Sequence, residues 1–231
     1  MSFQYEPTFQ NGEDTTEYRL LSKSGVSTVS LDGKEYLRVS KEALTALAKE
    51  AFSEINFYFR RAHLQQLAAE LDDPEASDND RFVIYTHLQN AVVSAAGQLP
   101  SCQDTGTAIA FGKKGQFVLT DFDEDEALSQ GIYETYAEKN LRYSQIAPLG
   151  IFKEQNTRNN LPAQVDIMSA TGDEFKFLFV AKGGGSANKM YLYQATPAVL
   201  NERDLTNFVR EKLKDIGTSA CPPYHLSLIH I

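Results

Sequence analysis

The stretch Val26-Ser27-Thr28-Val29-Ser30-Leu31-Asp32-Gly33-Lys34-Glu35-Tyr36-Leu37-Arg38-Val39-Ser40 holds two short runs rich in β-branched and aromatic residues about an Asp-Gly pair. Asp-Gly is a strong hairpin signal, because both residues tolerate the positive φ of a type I′ turn. Val26 to Leu31 and Glu35 to Val39 are predicted to pair as a hairpin, with Tyr18 to Leu21 as a further short strand before them. Ser40 then supplies a helix N-cap, and Glu42 an acid for the first turn. A hairpin that leads straight into a helix breaks any regular strand–helix alternation.

Beyond Ser40, apolar residues recur at helical spacing: Leu44, Leu47, Ala48, Ala51, Phe52, Ile55 and Phe59. The pattern predicts a helix from Lys41 to Leu71, bent or interrupted at Arg60 to His63. An acidic connector, Asp72 to Asp78, leads into a second helix from Asn79 to Ala96, closed by Gly97. Ala108 to Phe111 and Gln116 to Leu119 read as a strand pair about Lys113-Lys114-Gly115. Asp123 to Leu141 reads as a helix with an acidic first turn. Gln164 to Ser169 and Glu174 to Ala181 read as strands around Thr171-Gly172-Asp173, and Leu205 to Ile216 as a final amphipathic helix stopped by Gly217. The order predicts an α+β fold, antiparallel sheets flanked by helices, instead of a doubly wound parallel sheet.

The 231 residues suffice to bury a sizeable core. A net charge of −9 and a pI near 5.0, with no basic stripe, argue against a nucleic-acid partner or an anionic membrane surface. They do not exclude an anionic substrate at a locally positive site. No apolar run approaches the roughly 20 residues that cross a bilayer. Met1 to Asp14 is polar and acidic, unlike a signal peptide, and residues 1–16 read as an N-terminal arm. Two cysteines in such a chain suit a reducing compartment, where metal ligation is a more natural use than a disulfide.

The chemistry concentrates in three loops of small residues. Leu99-Pro100-Ser101-Cys102-Gln103-Asp104-Thr105-Gly106-Thr107 holds one cysteine. Gly217-Thr218-Ser219-Ala220-Cys221-Pro222-Pro223-Tyr224-His225 holds the other. Lys182-Gly183-Gly184-Gly185-Ser186-Ala187-Asn188-Lys189 offers exposed backbone amides, and the three together suggest one polar site. For each thiol a ligand role and an incidental role stay open. Two thiols cannot complete a tetrahedral zinc site, although His225 offers a third ligand. An iron–sulfur cluster normally takes three or four thiolates. The glycine run fails the phosphate-loop pattern, with Asn188 in place of the last glycine and Met190 in place of Ser/Thr, so a plain strand-to-helix turn competes with anion binding. Asp104-Thr105-Gly106 occurs once, where an aspartic protease needs two sharing a proton. Arg142 stands where a helix gives way to Ala147-Pro148 and suits a carboxylate, or simply lies on the surface. His63 and His87 fall within helical patterns and read as partly buried or surface histidines.

Taken together, these runs resemble the class I, iron–sulfur fumarate hydratases. The resemblance covers about Tyr18 to His225, carried by residues 99–108, Asn140-Leu141-Arg142-Tyr143-Ser144-Gln145, Asn160-Leu161-Pro162-Ala163-Gln164, and the runs at 182–189 and 217–225. It implies a homodimeric, cytoplasmic enzyme of the tricarboxylic acid cycle that interconverts (S)-malate and fumarate. It also implies a [4Fe–4S] cluster held by three cysteines, with Cys102 and Cys221 as two of them. Gln103, Asp104, Arg142 and Gly185 match positions that contact the dicarboxylate or its hydroxyl.

The pattern is left at about Ser227, so residues 17–226 read as an incomplete N-terminal cluster-binding domain and residues 227–231 as an atypical tail. On that expectation the chain is a fragment, inactive alone, whose third cysteine and general base lie in a further domain. The α subunit of a tartrate-type dehydratase is the second expectation, and a stand-alone metal- or anion-binding module the third.

Overall fold

The computed structural model describes residues 3–4, 16–217, 224 and 226–229. Strand β1 (Val26–Leu31) and strand β2 (Lys34–Val39) pair antiparallel through Asp32 at φ 51° and Gly33 at φ 76°, the turn that the Asp-Gly pair predicts. Ser40 caps helix α1 (Lys41–Phe57), its hydroxyl accepting the Ala43 N–H at 3.3 Å.

The helical pattern over Lys41–Leu71 is interrupted, from Tyr58 to Arg60, at the front edge of the expected Arg60–His63 break. After α1 the chain is extended at Tyr58, and helix α2 (Arg61–Glu70) starts afresh. The Asn56 carbonyl, which would accept the Arg60 N–H in a continued helix, takes the Ser101 N–H at 2.7 Å instead. Helix α3 (Asp78–Ala95) opens on a capping box of Ser77 and Asp80 and closes at Gly97, φ +73°. Arg81 ties down the acidic connector before it, donating to the carbonyls of Leu71 at 3.1 Å and Asp73 at 2.7 Å.

The predicted pairing about Lys113–Gly115 does not form. Strand β3 (Thr107–Gly115) runs through those residues, and strand β4 (Val118–Leu119) pairs parallel with β2. Both edges of β3 are already taken. Strand β7 (Gln164–Ala170) lies parallel on one side and strand β8 (Phe175–Lys182) antiparallel on the other. The two strands expected about Thr171–Asp173 are therefore present but separated by β3, and their connection closes over its end, with the Gln116 N–H on the Ala170 carbonyl and the Phe117 N–H on that of Gly172. Strands β5 (Ile146–Pro148) and β6 (Glu154–Asn156) make a separate antiparallel hairpin. Tyr18–Leu21 forms no strand; Arg19 holds this segment to α1 through Glu50 and Glu54, at 3.0 and 2.5 Å.

Helix α4 (Glu124–Glu138), capped by Asp123, packs with α1 across one face of the β7-β3-β8 sheet. Phe175, Phe177 and Phe179 alternate along β8 toward the helices, with Phe177 stacked on Phe179 at 5.5 Å. Phe52, Leu44, Leu128, Ile132 and Tyr136 fill the space between. After β8 come the short helix α5 (Gly184–Ala187), a 3₁₀ turn at Pro197–Val199, and helix α6 (Glu202–Asp215), followed by Gly217 at φ +64°. The fold is α+β, with helices around small antiparallel and mixed sheets. Among the described residues no helix is long and apolar enough to cross a membrane.

Helices α1 and α4 approach closely at Gly131, where a Cβ would meet the Thr45 carbonyl and lie 2.9 Å from the Ala48 Cβ. Such overpacking costs about 1–3 kcal/mol, against roughly 1 kcal/mol of helix propensity gained over glycine. Gly131→Ala is thus expected to lose up to about 2 kcal/mol, read as a lower urea midpoint at unchanged slope. Gly150→Ala, where an added Cβ meets nothing within 4 Å, is the control and is expected to leave the midpoint in place.

Candidate functional site

The first cysteine loop is anchored before it becomes β3. The Ser101 N–H bonds the end of α1, and the Asn90 side chain of α3 donates to the Ser101 carbonyl at 2.7 Å. Cys102 is exposed, and its Sγ accepts the Asp104 N–H at 3.4 Å. Gln103 is exposed beside it, Asp104 half-buried, Thr105 and Gly106 buried. Gly106 stands at φ +58°, and a Cβ there would strike the Lys182 carbonyl, so its lack of a side chain lets the loop lie against the end of β8.

This approach brings Asp104 to the glycine run. A Cβ on Gly183 would sit 2.8 Å from Asp104 Oδ2, and the Gly185 N–H donates to that oxygen at 3.5 Å. Of the two open readings of 182–189, the strand-to-helix turn is what the backbone forms, and α5 is a single turn. Bare backbone here makes room for a carboxylate of the chain's own. Asp104 faces the amide of Gly185, not a second Asp-Thr-Gly.

Arg142 is brought to the same end of the sheet through its main chain. The Thr105 hydroxyl donates to the Arg142 carbonyl, and the buried Tyr136 hydroxyl donates to the Thr105 carbonyl at 2.8 Å. The Arg142 side chain is exposed and makes no ion pair among the described residues. Asn160, fully buried at φ +57°, accepts the N–H groups of Ser144 and Gln145 on Oδ1 at 2.7 and 2.9 Å and donates from Nδ2 to the Gly106 carbonyl at 2.9 Å. Thr107 donates to Gln145 Oε1 at 2.8 Å.

Of the residues singled out in the sequence, Cys102, Asp104 and Gly185 are thus linked directly, Gln103 lies between the first two, and Arg142 joins them through Thr105. Cys221 and His225 lie outside the described residues. His63 and His87 are half-buried on α2 and α3. Among the described residues no group of three His, Cys, Asp or Glu side chains is placed to hold a metal ion. Cys102 itself suits a cluster: it is exposed, and a backbone N–H reaches its sulfur, as donors do around thiolate ligands.

Three residues of the site carry no signal of that kind. Tyr136 sits on the apolar stripe of α4 and reads as core. Thr105 and Asn160 fall within runs that carry the resemblance, but they bond main-chain groups far away in sequence, which neither residue type announces.

Burial, with a smaller push from the Asp104 charge, raises the Tyr136 phenol to about 12 from its ordinary 10.0. The neutral phenol's stabilisation is therefore complete below about pH 10 and lost as the pH climbs toward 12. Tyr136→Phe is expected to be less stable at neutral pH by about 1–3 kcal/mol, since the Thr105 carbonyl loses its donor, yet to lose less than the parent through the alkaline range. Urea unfolding across that range checks both statements, and parallel alkaline losses would contradict the second.

A family model described as fumarate hydratase (Fumerase) matches residues 45–229. The anaerobic class I fumarate hydratase of Escherichia coli K12 is 54% identical over 98% of this chain and 41% of its own length. Fumarate hydratase 2 of Leishmania major is 52% identical over 90% of this chain and 37% of its own length. The L(+)-tartrate dehydratase subunit alpha of Escherichia coli UTI89 is far more distant, 27% identical over 67% of this chain and 51% of its own length, so the tartrate expectation is not favoured. The chain spans about two fifths of the length of the curated fumarate hydratases it matches. With the family model covering most of its residues, the chain belongs to the fumarate hydratase family.

Proposed function

We propose that the whole protein to which this chain contributes is a hydro-lyase that adds water reversibly to fumarate, giving (S)-malate. What supports this most is the joining of Cys102, Asp104 and Gly185 at one sheet end, with Arg142 tied to them by Thr105. On this reading residues 17–226 form a cluster-binding domain of a cytoplasmic homodimer.

Cys102 and Cys221 would hold a [4Fe–4S] cluster, which when bound supplies a Lewis acid that polarises the hydroxyl lost as water. Arg142 presents a guanidinium to one carboxylate of the dicarboxylate, where two parallel N–H donors fix orientation as well as affinity. Gln103 offers an amide to the substrate from beside the cysteine. Asp104 has one oxygen on the Gly185 N–H, which leaves its other oxygen to accept from a substrate hydroxyl. The half-buried setting of Asp104 and Gly185 limits water around these contacts. Two thiols fall short of three ligands, so the 231 residues alone are expected to form no complete cluster and to show no hydration.

Anaerobic reconstitution with iron and sulfide, followed by the absorbance of fumarate, tests the reading. The whole protein is expected to turn brown and hydrate fumarate, and Cys102→Ser to lose both the colour and the turnover. Arg142→Gln is expected to raise the KM for fumarate by about 10- to 100-fold, the range for a lost charge-assisted pair. Full turnover in Cys102→Ser would overturn the proposal.

A further inference from the structure

We infer that Asn160 is a positioning residue for substrate binding, because its one side-chain amide sets where Arg142 stands relative to the Cys102–Asp104 loop. The inference rests on the proposed role of Arg142 in holding a substrate carboxylate.

The segment that carries Arg142 has no strand ladder to the cysteine loop. It is held on one side by the Thr105 hydroxyl on the Arg142 carbonyl and by Thr107 on the Gln145 side chain. From the other side Asn160 reaches both partners at once. Its oxygen takes two consecutive N–H groups, those of Ser144 and Gln145, and its nitrogen donates to the carbonyl of Gly106. Ser144 is two residues from Arg142, and Gly106 two residues from Asp104. The amide carries its acceptor and its donor on separate atoms, which lets one side chain span both partners, so Asp, Leu or Ala each drops part of the link. Asn160 is fully buried, which leaves water no easy way to replace a missing partner. Fixing Asn160 in turn is its own backbone, at φ +57° just before Leu161-Pro162, a conformation Asn accepts more readily than most residues.

A purely structural role would lower stability and turnover together. A positioning role acts through Arg142, so its effect should vanish where Arg142 is already gone. The test is a double-mutant cycle of N160L and R142Q in the cluster-loaded whole protein, scored by KM and kcat for fumarate. N160L is expected to raise KM by about tenfold or more with little change in kcat, and to add almost nothing to the KM of R142Q. If R142Q leaves KM unchanged, the reading of Arg142 fails and this inference falls with it. If R142Q raises KM but N160L multiplies that effect in full, or N160L lowers kcat alone, the Arg142 reading stands and the positioning role is overturned.

N160D, which keeps the two-fold acceptor and loses the donor to Gly106, serves where N160L does not fold. Its expected KM lies above that of the parent, since a carboxylate oxygen turned toward the Gly106 carbonyl repels it, and a parental KM in N160D overturns the inference. In the 231-residue chain, without cluster or substrate, N160L is expected to speed amide hydrogen exchange at Ser144 and Gln145 by about tenfold or more, with α1 amides unchanged. Unchanged exchange at Ser144 and Gln145 would also overturn it.

Discussion

The close crossing of α1 and α4 is the constraint on which the remaining geometry rests. Gly131 and Ala48 let the two backbones approach, and two buried hydroxyls convert that approach into fixed contacts: Thr45 donates to the Ala127 carbonyl at 3.0 Å and Thr135 to the Lys49 carbonyl at 2.9 Å. A hydrogen bond of this kind contributes about 1 kcal/mol net, and its loss in the interior costs more than that. The Lys49 pairs with Glu134 and Glu138 bridge the same two helices at their solvent edge and are partly exposed, so they add little. With the helices locked, their shared face presents Phe52, Ile132 and Tyr136 to the sheet. The start of β3 is held beneath them, and the Cys102 loop leads into it.

At the site itself, buried polar contacts take over from apolar packing. Tyr136 sits at the junction: its ring belongs to the core and its hydroxyl to the Thr105 carbonyl. Thr105 passes the connection to Arg142, and Asn160 closes it through Gly106. Interior polar groups are stable only when their bonds are complete, and among the described residues no buried side-chain nitrogen or oxygen lacks a partner. The end of the sheet that exposes the Cys102 thiol is thereby held from below by completed hydrogen bonds.

Local signals carry most of what is legible in the chain before its structure is known. The Asp32-Gly33 turn, the Ser40 cap and the Gly97 and Gly217 stops are encoded within a few residues, and each forms as its residues predict. Strand pairing is not so encoded. The alternation of Phe175, Phe177 and Phe179 announces a strand with one buried face, yet it says nothing of the neighbour, and β3 lies between the two strands that a meander would have paired. The break between α1 and α2 is marked at Arg60 to His63, but its cause, the Ser101 N–H on the Asn56 carbonyl, joins residues 45 positions apart. The site shows the same division. Cys102, Asp104, Gly185 and Arg142 stand out by residue type and by family resemblance, whereas Thr105 and Asn160 matter through main-chain partners that no side-chain pattern reveals.

The glycine run shows how one composition serves different chemistry. In a phosphate loop, consecutive glycine amides stay open for an anion brought from outside, and a helix after them adds its dipole. Here the amide of Gly185 already faces Asp104, and α5 is too short to add much. An acid placed there repels a phosphate. Arg142 is the exposed cation tied to this loop, and its carbonyl is held by the residue directly after Asp104. That arrangement separates the parts: glycine supplies space, Asp104 a carboxylate held on the Gly185 amide, and Arg142 an exposed positive charge.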